Sequence, residues 1–404
     1  MKTRIIIVND NMNVGGTTSA LISLLHHLDY TKYDVTLLLQ SREGEFLDRV
    51  PDEVKVITTG FVPKSKFGGV VKRLLDHAMN SNMYYRILLE LKRIFRCESD
   101  TMFPIIQRMI TNIVRNDTTI IDDDYDVAIS YMELWPTVFT AYRVHARRKI
   151  AWLHLDYIGS HLDSSVDRPI YAVFDAVVTV SEQCLSSFRL CFPEYASKAT
   201  YIENFVPDIL IKQLAEEQVL DYSDKYDGLT IVTVCRLKNR HKGIDRAVNA
   251  CKRLVDLGIK IRWCVVGDGP DRYEIEKQIA MNHLEGIFVL IGARKNPYPY
   301  IKMSDIFALP SRYEGKPIVV TEAQIIGRPV IVTAYASAAE QVIHGVDGII
   351  VENSDQSFID GVVNISTNTL LLRHLTDNAM MLVRDESSII KKFYAVLHND
   401  NSLF

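Results

Sequence analysis

Short apolar runs rich in β-branched residues alternate along the chain with segments whose apolar positions recur at helical spacing. That alternation predicts parallel sheets joined by crossover helices. In the first half the predicted strands are 4–8 (ArgIleIleIleVal), 34–39, 126–131, 148–153 and 176–180. In the second half they are 229–234, 260–266, 286–291, 305–309, 329–333 and 348–351. Each set suffices for its own doubly wound sheet. Between Asn204 and Tyr226 a strand-like ThrTyrIleGlu gives way to a polar stretch with Pro207 and the acidic residues Glu216, Glu217, Asp221, Asp224 and Asp227. The expected organisation is a Rossmann-like domain over 1–204, a second over 205–385 and a terminal helix over 386–404. Such sheets would turn the carboxyl ends of their strands to a cleft, where open α/β sheets bind ligands.

Composition narrows the class. With 404 residues and 48% hydrophobic content, two cores of ordinary size can form. A net charge of −4, from 46 basic and 50 acidic residues, supplies no global basic field for nucleic acid. The six cysteines are scattered without a CxxC pair and read as reduced core thiols. The run Ile5–Val8 is too short for a signal-peptide core, and no apolar stretch is long enough to cross a bilayer, so a cytoplasmic location is expected. One stretch breaks the alternation. Residues 64–96 interleave Lys64, Lys66, Lys72, Arg73, Arg86, Lys92, Arg93 and Arg96 with apolar residues, against only Asp76 and Glu90. A basic amphipathic segment of this kind either lies on an anionic membrane, at the inner face of the cell membrane, or presents a solvated helix face.

The most informative segment is ProSerArgTyrGluGlyLysProIleValValThrGlu, 310–322. A buried strand ends in a polar loop, Gly315 frees the backbone, and Pro317 suits the first turn of a helix. The amides of 316–319 would then point out of a helix N-terminus, an anion site in outline. Glu314 precedes that helix and Glu322 lies inside it, roughly 10 Å apart at 1.5 Å per residue. That is too far for a glycosidase-type pair acting on one bond. It suits two carboxylates gripping hydroxyls on either side of a diphosphate. A second cluster, ValCysArgLeuLysAsnArgHisLysGly, puts Arg236 and Lys242 beyond a strand end, where cations can stabilise a diphosphate leaving group.

The Glu-x7-Glu spacing, with Gly after the first Glu, GluAla at the second and GlyArgProValIleValThr beyond, resembles the signature of the family-four glycosyltransferases of the GT-B fold. Arg236 and the pair Lys242-Gly243 match the family's Arg and Lys-Gly, and ValValGlyAspGlyProAsp (265–271) is also similar. In the first half the resemblance extends to AsnValGlyGlyThrThr (13–18), where a generic tight turn is the alternative, and to the Lys-x-x-Trp-x-His pattern that ends at His154.

The resemblance implies two Rossmann-like domains and retention of configuration, with same-face attack in which the leaving phosphate takes the acceptor proton. It assigns Glu314 to the sugar ring and the anomeric face, Glu322 to the ribose, and His154 to the transferred sugar. The diphosphate falls to Arg236, Lys242 and the backbone of Gly315, Lys316, Pro317 and Ile318. Gly292 and Arg294 fall where the family places the base, and Gly16 faces donor phosphate or acceptor. It further implies a UDP- or GDP-linked sugar as donor, a glycan or lipid-linked acceptor in polysaccharide biosynthesis, no cofactor or metal, and a last helix that crosses back to the first domain. Lys316 departs from the pattern, because many relatives carry an aromatic residue there. The triplet Asp122-Asp123-Asp124 is expected as a solvated turn, not a metal site. The rival readings are a nucleotide-sugar 2-epimerase of the same architecture and a non-catalytic sugar-binding scaffold.

Overall fold

A computed structural model describes residues 2–59, 102–116, 120–219, 226–381 and 386–400. The basic stretch 64–96, and Cys97 beside it, lie outside the described residues. The chain divides into two compact units, one formed by residues 1–205 with the segment from Ser387 onward, the other by Val206–Glu386.

In the first unit seven parallel strands run in the order β3-β2-β1-β4-β5-β6-β7. They are β1 (Thr3–Asn9), β2 (Tyr33–Leu39), β3 (Lys55–Thr58), β4 (Ile121–Ser130), β5 (Val144–Leu153), β6 (Ala176–Thr179) and β7 (Ala199–Tyr201). Every β1 residue from Ile5 to Asn9 is buried, as a strand covered on both faces must be. Its side chains alternate between two layers. Ile5 and Ile7 pack with Leu21, Leu24 and Leu25 of the helix Gly16–His26, whereas Ile6 and Val8 pack with Ile106, Ile110 and Phe139 on the other face. The four-residue β3 and three-residue β7 lie at the sheet edges; β7 overlaps the strand-like ThrTyrIleGlu, whereas β3, with only Val56 and Ile57 apolar, was not anticipated.

The aspartate triplet differs from the turn expected of it. β4 begins at Ile121 and carries all three aspartates, and its register against β5 shifts between Ile121 and Tyr125. An irregularity in the ladder lets a polar run extend the strand, with Asp123 and Asp124 exposed.

The last helix, Glu386–His398, completes the first unit's core. Phe393, Val396 and Leu397 are buried with Ile5, Ile7 and Trp152. The Tyr394 hydroxyl accepts from the Asp29 amide (3.1 Å), Tyr394 stacks on Tyr33 (5.4 Å), and the Tyr33 hydroxyl meets His398 Nε2 at 2.8 Å.

In the second unit six parallel strands run in the order β10-β9-β8-β11-β12-β13. They are β8 (Leu229–Val234), β9 (Ile261–Val266), β10 (Phe288–Gly292), β11 (Ile306–Leu309), β12 (Val330–Thr333) and β13 (Gly348–Val351). Because β8 lies between β9 and β11, the chain reverses its winding direction at the β8/β11 junction, and the loops beyond those two strands frame a switch-point crevice. The five described cysteines, Cys184, Cys191, Cys235, Cys251 and Cys264, form no disulfide among the described residues. No described helix is long and apolar enough to cross a membrane.

Replacing Phe393 (1% exposed) by Ala should cost about 3–5 kcal/mol through lost transfer energy and the cavity left behind. Denaturant unfolding of the full chain, followed through the signal of Trp152, measures it.

Candidate functional site

β8 leads through Cys235 and the exposed Arg236 into a loop and the short helix Asn239–Lys242. Gly243 closes that helix with φ +62°, and a Cβ there would stand 2.2 Å from the Pro310 carbonyl oxygen. Only glycine permits both the backbone angle and the approach, which is the physical content of the Lys-Gly pair. Gly267, at φ +147°, plays a similar part, since a Cβ there would fall 1.8 Å from the Cys235 carbonyl oxygen. The turn it starts braces the same loop: the Leu237 amide donates to the Asp268 carbonyl (3.0 Å) and the Asn239 amide to Asp271 Oδ2 (2.7 Å).

The loop beyond β11 meets this one. Lys242 Nζ donates to Glu314 Oε1 at 2.6 Å, and the buried Ser311 hydroxyl donates to the same oxygen at 2.6 Å. Burial alone would pull the Lys242 ammonium's pKa down; the charge and hydrogen bond of Glu314, together with the neighbouring Cys235, offset it and hold the pKa above its ordinary value. Burial pushes the neighbouring Cys235 thiol up to about 12, so it stays neutral. Further along, the Ser337 hydroxyl donates to the Gly315 carbonyl (2.5 Å), and the Gln341 amide side chain to the Pro317 carbonyl (3.1 Å). The largely buried Lys316 side chain has its ammonium 3.7 Å from Glu340.

The helix that follows is Ile318–Ile325, with Pro317 as its N-cap and no side chain bonded to its first amides. Pro317 therefore stands one position earlier than expected, and having no N–H it leaves Lys316, Ile318 and Val319 as the amide donors of that stretch. Glu322, the fifth residue of the helix, is buried and accepts from the Tyr298 hydroxyl at 2.9 Å. Burial pushes its carboxyl up to about 7, against the lowering effect of that hydrogen bond. Gly292 ends β10, its carbonyl bonded to the Gly267 amide (2.9 Å), and Arg294 Nε donates to the Tyr300 hydroxyl (3.1 Å).

The remaining two candidates belong to the first unit. Gly16 opens the helix Gly16–His26, and a Cβ on the preceding Gly15 would meet nothing within 4 Å, so packing does not demand glycine there. His154 follows β5. Its ring lies 4.9 Å from that of Tyr131, and burial drives its pKa down to about 3, against the opposing hydrogen bond to the Tyr131 backbone, so the imidazole is neutral. Its Nε2 is buried without a partner in the described structure, while its amide and that of Leu155 both donate to Glu133 Oε1. Burial, foremost, pushes Glu133 to about 7, and burial and then Glu133 push Asp10 to about 7.

The structure thus joins Lys242 and Glu314 directly and sets Lys316, Pro317, Ile318 and Glu322 on the chain that follows. Arg236 stands exposed beyond β8, while Gly292 bonds to Gly267 and Arg294 to Tyr300. Sequence reading passed over Ser311, Arg312, Asp245, Tyr298 and Glu133. Glu133 alone carried a visible signal, a lone acid inside the apolar run TyrMetGluLeuTrp.

A pair of doubly wound parallel units is the GT-B fold, and comparison with solved structures agrees. HepE of Anabaena in complex with UDP and glucose superposes with a TM-score of 0.70 over 98% of this chain and 100% of that one, at 16% identity. Residues 221–380 match the family model described as Glycosyl transferases group 1, and the second unit belongs to that family. Among curated relatives, the Vi polysaccharide biosynthesis protein VipC/TviE of Salmonella typhi is 35% identical over 99 residues, 24% of this chain and 17% of that protein. The UDP-Gal:alpha-D-GlcNAc-diphosphoundecaprenol alpha-1,3-galactosyltransferase of Escherichia coli is 32% identical over 133 residues, 32% of this chain and 34% of that one. The chain thus spans about a third or less of the length of these relatives.

Glu322 gives a test of the site's electrostatics. Its carboxyl titrates near 7 in the fold and near 4.5 when unfolded, so its contribution to stability is present below about 4.5 and is lost as pH rises through about 7. Glu322→Gln, which cannot ionise, should therefore gain roughly 1–3 kcal/mol relative to wild type between pH 5 and pH 8. Denaturant unfolding of both proteins at the two pH values reads the difference.

Proposed function

We propose that this chain is a retaining glycosyltransferase that moves a sugar from a UDP- or GDP-linked donor to a hydroxyl of a glycan or lipid-linked acceptor in polysaccharide biosynthesis. The observation that carries the reading is the Lys242–Glu314 pair at the β8/β11 switch point, followed by a helix whose first amides have no side-chain cap. The family match of residues 221–380 and the UDP and glucose complex of HepE support it.

Each side chain then has a task. Lys242 and Arg236 offset the charge that develops on the diphosphate as the glycosidic C–O bond breaks, aided by the amides of Ile318 and Val319 at the helix start. Glu314, held by Ser311, accepts hydrogen bonds from sugar hydroxyls once Lys242 turns to phosphate. Glu322 in its ionised form accepts from the ribose hydroxyls, with Tyr298 fixing its orientation. Gly292 and Arg294 border the base. His154, neutral and with Nε2 unpartnered, offers a hydrogen bond to the transferred sugar, and Gly16 leaves the backbone open to donor or acceptor. The leaving phosphate takes the proton of the incoming hydroxyl, so the acceptor enters on the face the phosphate leaves.

Glu314→Ala and Lys242→Ala should each lower transfer by about 100-fold or more. Nucleotide sugars that raise the wild-type melting temperature identify the donor for that assay. Full turnover in either variant, with the thermal midpoint retained, would sink the reading; an epimer formed from donor alone would replace it with the epimerase. For the basic stretch 64–96 we propose peripheral contact with anionic membrane. Reversing Lys72, Arg73, Lys92 and Arg93 should release the protein from anionic vesicles in a sedimentation assay, and a wild type that never sediments with them refutes the contact.

A further inference from the structure

Lys242 and Glu314 sit on different loops, so something must set the distance between them. Their own ion pair cannot serve once a donor lies between ammonium and carboxylate. Behind it the same two loops are joined again. Arg312 places Nη1 on Asp245 Oδ1 and Nη2 on Asp245 Oδ2, both at 2.7 Å, a two-pronged fit of guanidinium to carboxylate. Its Nη1 also donates to the Asn239 carbonyl (3.0 Å), and its backbone amide to the His241 carbonyl (2.7 Å). Asp245 is anchored in turn, its amide donating to Asn239 Oδ1 at 2.8 Å. A third loop fixes the other side of Arg312, since Asn353 Nδ2 donates to its carbonyl (2.8 Å). Asn239, His241 and Asp245 bracket Lys242 in sequence, and Arg312 stands two residues before Glu314. The Arg312 and Asp245 side chains are 28% and 22% exposed, sheltered enough for the fork to hold its geometry.

From this we infer that Arg312 is a positioning residue for the donor site: its fork on Asp245 holds the Lys242 loop against the Glu314 loop, and so sets the span across which the donor's diphosphate and sugar are gripped. The inference rests on the proposed transferase reading. It assigns Arg312 no contact with substrate. Its effect belongs to the reacting geometry, where a displacement near 1 Å costs on the order of 100-fold in rate. The nucleoside part of the donor, gripped from the helix that carries Glu322, should be indifferent to it.

The test compares wild type with Arg312→Lys, Arg312→Ala and the double variant Asp245→Asn/Arg312→Gln, which leaves no unpaired charge behind. Three quantities are measured on the full chain: turnover at saturating nucleotide sugar, affinity for UDP or GDP by calorimetry, and the thermal midpoint. The expected result is a fall in kcat of about 10- to 100-fold with the midpoint close to wild type, and a loss of nucleoside diphosphate affinity well short of the fall in kcat, because the nucleoside grip is kept while the Lys242 contact to the diphosphate shifts. Arg312→Lys should be nearly as slow as Arg312→Ala, because an ammonium keeps the charge but loses the fork. Wild-type kcat in Arg312→Ala overturns the inference. So does a joint fall of kcat, affinity and midpoint that Arg312→Lys restores, since that is the mark of a purely structural ion pair. A wild type that turns over no donor defeats the transferase reading itself, a failure visible without any variant.

Discussion

The second unit's site depends on how closely two backbones approach at the β8/β11 junction. Gly243 brings the end of one short helix against the Pro310 carbonyl, a separation that no side chain could share. Everything polar in the site follows from that approach. It lets Lys242 reach Glu314, lets the His241 carbonyl receive the Arg312 amide, and places a guanidinium where it can fork onto Asp245. Parallel sheets make such junctions by topology, because reversing the winding direction leaves two neighbouring strand ends with loops that part. Here the parted loops are stitched together again by charge.

The charges are arranged so that burial is tolerable. Lys242 and Glu314 offset one another, and Ser311 supplies a further bond to the carboxylate. Glu322, among the described residues, is bonded to the Tyr298 hydroxyl and to no cation, and burial raises its carboxyl to about 7. The first unit repeats the second solution. Glu133 and Asp10 both rise to about 7, while His154 falls to about 3, so burial keeps the imidazole neutral and shifts both carboxyls toward their protonated forms. One unit thus carries a compensated ion pair, the other a cluster whose charge burial suppresses.

Much of this was legible in the chain. Strands buried on both faces announce themselves as apolar runs, and each predicted strand lies within a residue or two of an observed strand at most of its ends. The edge strand β3 escaped because its sequence LysValIleThr holds only two apolar residues between polar, exposed ends, whereas β7 overlaps the strand-like ThrTyrIleGlu. The aspartate triplet misled for a different reason, since a ladder irregularity let exposed carboxylates extend a strand. Glu314, Glu322 and Lys242 were legible from motif and spacing together. Arg312 and Asp245 were not, since they lie 67 residues apart and only the fold makes them neighbours. Tyr298 and Ser311 were hidden likewise, because a hydroxyl that orients a carboxylate carries no signal of its own in a chain.

The last helix has a consequence for how the chain is made. Phe393, Val396 and Leu397 belong to the same buried cluster as β1, so the first unit is encoded in two pieces separated by the whole of the second. The unit that starts first therefore cannot close its core until the helix Glu386–His398 has left the ribosome, whereas Val206–Glu386 is continuous and has all its strands beforehand. Order of synthesis and order of completion are opposite. Until the helix arrives, the face of β1 that carries Ile5 and Ile7 lacks part of its cover, so the nascent first half keeps apolar surface open to self-association.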